Sequence, residues 1–545
     1  MLSGKNKYTL QASSLQEDTV SRDEELAEIE QQLESAGFQA RCEEHLIVKK
    51  VYKAKLESLR DRFPSTDTLN SRVELFKPIP MQPPKAFQNQ TEVDVARNSN
   101  HSSVSSNPNS FSQFIAFDYN EYFNDDDVVY LDAVRTSRMV SLSRAFVRAG
   151  PRERLHFNPA TVNAAIVTCG GLCPGLNNVI RELTHSLYSV YGVNQVWGIR
   201  GGFRGFLGLA DFEPIILTNE LVEDIHHEGG TVLRSGRGGF EIEKILQFLQ
   251  ERDISQLYVI GGDGTHRAAF KIHEECMQQN RNIAVVGICK TIDNDLDYID
   301  RSFGFLSSVE AAQASIRTAK TESMCVSPRG ITVVKLMGRS AGYLTAYAAL
   351  GSGDVDCVLI PEVPIVLEGK EGILHFLEKR VAEKKYAVVV VAEGAGEEIL
   401  GTSSEIDKGG NKKLQPIGEY IKKQIQDHFE NKGLECTVRY IDPSYMVRSV
   451  PANAADSVYC TELAQNAVHG AMCGYTGFSV GQVNSHGVYI PIPLLVATSP
   501  RTMDPKGLLW ERILSLTGQP NPDVGELCNP ENEMDCFPHF ERFIH

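Results

Sequence analysis

After about residue 160 the chain settles into a recurring texture: a short apolar run rich in Val and Ile, a glycine-rich turn, then a stretch with helical periodicity. The runs are Val162–Thr168, Gln195–Ile199, Gln256–Ile260, Ile283–Ile288, Ile331–Leu336, Asp356–Ile360 and Tyr386–Ala392. They lack apolar/polar alternation, which is the character of strands buried on both faces, as in parallel sheets covered by helices. The pattern predicts a doubly wound, Rossmann-like α/β architecture. The number of runs favours two such lobes with a cleft between them over a single sheet. No internal repeat of short period is present.

The chain before this region reads differently. Leu26, Ile29 and Leu33 stand at helical spacing among glutamates within Asp23–Ala36, predicting one short, exposed amphipathic helix. Residues Asn98–Ser112 are mostly Asn, Ser and Pro, a composition that cannot bury a core, so they read as a flexible linker with an extension in front of it. The acids Asp125–Asp127 are expected in a solvated loop.

Composition narrows the function. With 54 basic and 70 acidic side chains the formal net charge is -16, which argues against nucleic acid or an anionic membrane as a partner held by global charge. Twelve cysteines without C-x-x-C spacing read as reduced thiols of an intracellular protein. The longest apolar run, Gly487–Ala497, is broken by Pro491 and Pro493 and is too short to span a bilayer. The acidic N-terminus does not resemble a secretory signal. The expectation is a cytoplasmic protein, with a plastid as the alternative.

In doubly wound sheets ligands bind at the carboxyl ends of strands, and four turns there carry unusual residues. Cys169-Gly-Gly-Leu-Cys-Pro-Gly175 joins a strand to a helix; its glycines let backbone amides approach a polyanion at a helix N-terminus. Gly261-Gly262-Asp263-Gly264-Thr265 sets one carboxylate in a bare glycine turn, suited to a cation beside phosphate oxygens. Lys290-Thr291-Ile292-Asp293-Asn294-Asp295 places two carboxylates at i and i+2, on one side of an extended stretch. Their mutual repulsion raises both pKa values, a division that suits one acid as a base and the other near a cation. Met337-Gly338-Arg339 ends a fourth run with an arginine able to stabilise a transferring phosphoryl group.

Taken together, G-G-D-G-T, K-T-I-D-N-D and M-G-R resemble the phosphofructokinase family over about Pro151–Gly518, and within it the single-unit plant and trypanosomatid branch. Diacylglycerol and NAD kinases share the first motif but not the other two. The resemblance implies the phosphofructokinase fold and transfer of a phosphoryl group from ATP to the 1-hydroxyl of fructose 6-phosphate, with Mg²⁺. Asp293 would be the general base, Arg339 and Thr291 would hold the transferring group, and Asp263 with Asp295 would manage Mg²⁺. Gly171, Arg237, Gly238, Gly262, Asp263, Gly264, Thr265 and Lys290 correspond to ATP-contacting positions, with Phe203 packed beside the nucleotide. Thr291, Asp293, Met337, Gly338, Arg339, Glu393, Tyr445 and Arg448 correspond to sugar-phosphate positions, and Arg439 would reach in from a neighbouring subunit of a homodimer or homotetramer. Tyr445 replaces the histidine of the bacterial enzymes, and Gly330 stands where they bring a second partner arginine, with Arg329 one place off.

The family divides by phosphoryl donor. Gly264 is the nucleotide-type residue, where pyrophosphate users resemble G-G-D-D; an added carboxylate would cost ATP roughly 4 kcal/mol at about 4 Å and an effective dielectric near 20. Lys290 is of the pyrophosphate type, but attraction excludes neither donor, whereas repulsion does. ATP is therefore expected, with pyrophosphate as the alternative. A catalytically silent regulatory subunit is a second alternative, set against the presence of all three acids. The expected organisation is an extension over 1–110, a segment packing on the core over 111–160, a nucleotide-binding lobe over 161–304 plus 449–500, a sugar-phosphate lobe over 305–448 and a C-terminal segment over 501–545. Glu397–Gly433 reads as an inserted loop and helix.

Overall fold

A computed structural model describes residues 38–41, 50–63, 69–70, 122–131, 142–401 and 413–522. The amphipathic helix expected at Asp23–Ala36 and the linker expected at Asn98–Ser112 lie outside the described residues.

Two sheets organise the chain. The large sheet takes first β1 (Phe38–Arg41), β2 (Lys50–Ala54), β3 (Val128–Tyr130), β4 (Leu142–Arg148), β5 (Asn163–Thr168), β6 (Gln195–Ile199), β7 (Ile215–Leu217), β8 (Ile254–Gly261) and β9 (Ala284–Cys289). The small sheet takes β10 (Gly330–Leu336), β11 (Cys357–Leu359), β12 (Tyr386–Ala392) and β13 (Thr437–Ile441). The chain then returns to the large sheet with β14 (Phe478–Val483) and β15 (His486–Pro491). The large sheet runs β1-β2-β4-β15-β14-β9-β8-β5-β6-β7 with β3 beside β4, and its central strands β14, β9, β8, β5 and β6 are parallel. The small sheet is parallel throughout, in the order β11-β12-β10-β13.

All seven apolar runs form strands, and their lack of alternation has a direct cause. In β8, Tyr258 and Ile260 enter one core while Leu257 and Val259 enter another across the sheet. In β12, Val388 and Val390 face one core and Val389 and Val391 the opposite one. Water reaches neither face, so both faces are apolar and a buried polar residue such as Gln256 of β8 needs a partner, here the Tyr258 hydroxyl at 2.8 Å. The large sheet also reaches back into residues that the sequence assigned to the N-terminal extension: β2 pairs in parallel with β4, and Ala54 and Leu59 are fully buried. The Asp125–Asp127 loop is at the surface as expected, yet Asp125 is not merely solvated. It accepts from the Tyr475 hydroxyl and from Arg60 and Arg152 at 2.9 and 3.2 Å.

The helices that build the site are α1 (Leu176–His185), α2 (Asp263–Gln278), α3 (Phe305–Cys325), α4 (Tyr343–Ser352) and α5 (Ala454–Met472). Helix α3 carries the chain from the large sheet to the small one and α5 brings it back. Inside the insertion, a helix over Ile417–Asn431 covers the small sheet through Ile417, Ile421, Ile425 and Phe429. No described helix is long and apolar enough to cross a membrane.

Candidate active site

The strand-end turns of both sheets face one another. The first turn leaves β5 and is pinned to the loop at 233–238: the Gly170 amide donates to the Gly236 carbonyl at 3.0 Å and the Ser235 hydroxyl to the Gly170 carbonyl at 2.9 Å. Arg237 and Gly238, the latter at φ +77°, continue this loop. A Cβ on Gly171 would lie 3.8 Å from an Arg448 guanidinium nitrogen, so the large-sheet turn and the short helix Ser444–Arg448 after β13 meet across the cleft.

The second turn opens α2 with Gly262 as N-cap and no side-chain cap, leaving the helix N-terminus to the cleft. Asp263 ion-pairs at 3.1 Å with Arg267 one turn on. Gly261 has to be glycine because a Cβ would fall 2.4 Å from the Thr265 side chain. Gly264 has no such excuse: its Cβ would meet nothing within 4 Å. Packing therefore does not require glycine at 264.

The third turn carries the densest chemistry. Lys290 is buried and its ammonium donates to the Gly171 carbonyl at 2.6 Å, tying the first turn to the third; burial pushes its pKa down. The Thr291 hydroxyl donates to Asp295 at 2.8 Å and accepts from the Asp293 amide at 3.2 Å. Asn294 takes a left-handed backbone, φ 54°, held by the Ser302 amide on its side-chain oxygen at 2.9 Å. Asp293 is buried, and its pKa is pushed up to about 8, first by burial and then by the carboxylates of Asp295 and Glu393. Against these act the Arg339 amide, which it accepts from, and the Arg339 charge. One carboxylate oxygen of Asp293 is buried with no partner. Asp295 is also raised, by burial first, with Asp263 adding to it and the Thr291 hydroxyl opposing.

From the small sheet, β10 delivers Met337, Gly338 and Arg339, and β12 delivers Glu393 and Gly394. Gly338 needs its glycine, at φ +128° with a Cβ position 2.6 Å from the Ala341 carbonyl. Gly394 lies so close under the other turn that a Cβ would fall 1.8 Å from the Arg339 carbonyl. Met337 packs against cores of both sheets. Burial raises the Glu393 pKa, while Lys335, Arg339 and Arg448 draw it down. Beside Arg339 and Glu393 opens a cavity of about 520 Å³, lined further by Ser340, Glu397, Lys413 and Gln415. Four sheet-end acids, Asp263, Asp293, Asp295 and Glu393, and two arginines, Arg339 and Arg448, thus converge where the lobes meet.

The comparisons with known proteins identify what this constellation belongs to. The family model for phosphofructokinase matches residues 163–471. The chain belongs to the phosphofructokinase family. It is 46% identical over 425 residues to ATP-dependent 6-phosphofructokinase 4, chloroplastic, of Arabidopsis thaliana, covering 77% of this chain and 79% of that one. It is 48% identical over 379 residues to ATP-dependent 6-phosphofructokinase 7 of the same plant (69% and 77%), and 40% over 380 to the ATP-dependent 6-phosphofructokinase of Trypanosoma brucei brucei (69% and 77%). Among solved structures, a pyrophosphate-dependent phosphofructokinase from Marinobacter aquaeolei aligns at TM-score 0.54 and 20% identity over 66% of this chain and 91% of that one, a likeness of fold.

Within this phosphofructokinase two residues named from sequence, Phe203 and Arg439, sit away from the converging group, and Tyr445 stands at its exposed edge beside Arg448. Phe203 is buried in the core under the turns, 5.3 Å from the Phe240 ring. Tyr445 is 73% exposed, with the Arg448 guanidinium 4.9 Å from its ring centre. Arg439 lies exposed on β13 and pairs with Glu322 of α3 at 3.2 Å. Sequence reasoning missed two others. His266, buried on α2, meets the Gly262 carbonyl at 3.0 Å and Ser479 at 2.9 Å, backing the G-G-D-G-T turn; its i+4 spacing from Gly262 was the available signal. Arg501 touches the Asp293–Asp295 loop from more than 200 residues away, with no local pattern to announce it.

Proposed function

We propose that this phosphofructokinase transfers the γ-phosphoryl group of ATP to the 1-hydroxyl of fructose 6-phosphate. One observation carries the reading: a buried Asp293 carboxylate, with a pKa near 8 and one oxygen unpartnered, lies against the Arg339 amide at the junction of the lobes. Once ionised, such a carboxylate is a stronger base than an ordinary aspartate and can take a proton from a hydroxyl. In this reading Asp293 accepts the proton of the 1-hydroxyl as its oxygen attacks the γ-phosphorus and the bond to the leaving ADP oxygen breaks. Arg339 then stabilises charge on the transferring group. Glu393 and Arg448 orient the sugar phosphate, Arg448 through the planar fork that suits phosphate oxygens. Gly171, Arg237, Gly238, Thr265 and the open N-terminus of α2 receive the polyphosphate.

The acids fit a divalent cation, which we take to be Mg²⁺. Among the described residues no three His, Cys, Asp or Glu side chains form a ready-made cage. Mg²⁺ is characteristically held by one or two carboxylates plus phosphate and water, and Asp263 with Asp295 supply that number of hard oxygen donors. Held by Asp263 and Asp295, such a cation would supply neutralisation of the charge on the donor's phosphate oxygens.

ATP is favoured over pyrophosphate because the space beside Gly264 is open for a larger donor and free of a repelling carboxylate. A homo-oligomer is supported by Arg439, which is exposed and turned to its own helix α3 rather than to its own cleft. The test is a coupled assay of the purified full chain with MgATP and with magnesium pyrophosphate in parallel. Turnover with MgATP is expected. Turnover with pyrophosphate alone would exchange the donor, and none with either would favour a regulatory subunit.

A further inference from the structure

The loop from Thr291 to Ile299 belongs to no helix or strand, and two of its residues, Asn294 and Tyr298, have positive φ. A loop of this kind keeps its shape only if other parts of the molecule bond to its backbone. The C-terminal segment does so. The Arg501 amide donates to the Asp295 carbonyl at 2.6 Å, and its guanidinium reaches the Ile299 carbonyl at 3.3 Å and the Asn294 carbonyl at 3.4 Å. The next residues bond to the other side of the cleft. The Thr502 carbonyl accepts from the Tyr343 hydroxyl at 3.0 Å. The Met503 amide donates at 2.8 Å to Glu362, which also accepts from the Gly342 amide at 2.9 Å, three residues beyond Arg339. The Arg501 guanidinium lies 5.0 Å from the Tyr343 ring centre, so one side chain spans both partners.

We propose that Arg501 is a positioning residue of the phosphoryl-transfer site, clamping the loop that carries Asp293 and Asp295 and tying it to the turn that carries Arg339. The inference rests on the reading of that site as the place of phosphoryl transfer. Arginine suits the task because its rigid fork bonds two carbonyls at once while its flat face lies on an aromatic ring. Its Nε is buried without a hydrogen-bond partner, so the two terminal nitrogens carry the clamp. The base belongs to one lobe and the cationic stabiliser to the other, and the segment 501–503 is bonded to both. Displacement of reacting groups by about 1 Å is enough to cost on the order of 100-fold in rate.

The test uses the full chain with R501A and R501K, measuring kcat, both KM values and the thermal midpoint. R501A is expected to lose on the order of 100-fold in kcat while KM for fructose 6-phosphate stays within about threefold. Added guanidinium ion is expected to restore part of that rate in a saturable way, which a purely structural strap would not show. R501K keeps a cation over Tyr343 but not the fork, and its kcat should fall between the two. A folded R501A with wild-type kcat, or one whose lost rate guanidinium leaves untouched, overturns the proposal. If R501A does not fold, R501K decides, and wild-type kcat there overturns it equally. Inactivity of the wild-type chain would instead refute the underlying reading of the site.

Discussion

The carboxyl of Asp293 is buried beside Asp295 and Glu393, so ionising it works against both burial and repulsion. The sign of the consequence is fixed by its pKa, about 8 in the fold against an ordinary 3.8. At low pH the group is neutral in both folded and unfolded chains. As pH rises, the unfolded chain releases the proton first, and the folded state loses stability until about pH 8, where it releases the proton too. D293N abolishes this loss. In ligand-free protein without metal, its unfolding midpoint should exceed that of wild type by a margin that widens between pH 5 and pH 8, as followed by calorimetry. A margin that shrinks over that range would mean the buried acid is not held neutral. The same substitution removes the proposed base, and kcat should fall by about 100- to 10,000-fold with the sugar KM nearly unchanged. Stability gained and activity lost in one variant would identify a residue kept for chemistry.

At the scale of elements, the site is a set of strand ends held apart by glycines, and the glycines divide into two kinds. Gly394 crosses under the Arg339 turn where a Cβ would fall 1.8 Å from a carbonyl oxygen, so G394A must push the two turns apart. Steady-state assay should show kcat reduced on the order of 100-fold, because the displaced turn carries Arg339. Gly264 has open space, and its φ is not positive, so G264D should fold with an unchanged midpoint. Its new carboxylate should raise the KM for ATP about a thousandfold, which titration with MgATP measures; an unaltered KM would put the polyphosphate elsewhere. These elements were legible in the sequence because a strand buried on both faces writes a continuous apolar run, and the turn after it can afford acids and glycines only where something binds. β2, β13 and β14 left no such mark, and β15 lies in an apolar run that its prolines disguised. β2 sets only Val51 and Tyr52 between Lys50 and Lys53, and β15 runs into Pro491. The contact between Arg501 and the 294–299 loop was equally hidden, since it depends on a chain return that periodicity does not encode.

At the scale of the whole molecule, the proposed sugar-phosphate site bears on how two copies of the chain would pack. Arg448 reaches its own chain's Gly171 turn, whereas Arg439 lies half-exposed on β13, engaged with Glu322 of the same chain. If two copies face each other so that each lends Arg439 to the other's cleft, every site draws one arginine from each subunit. R448A and R439A should then each raise the KM for fructose 6-phosphate sharply with kcat at saturation largely kept, and at low sugar both parents should be nearly inactive. Co-expression of the two in equal amounts separates shared from unshared sites. In a hybrid pair one site carries both substitutions and the other carries neither. Half of randomly formed pairs are hybrids, so activity at low sugar should recover to about a quarter of wild type. Hybrids purified by distinct tags on the two variants should reach about half. If the mixture gives no more than the sum of its parents, Arg439 serves no neighbouring cleft and its pairing with Glu322 is its whole role.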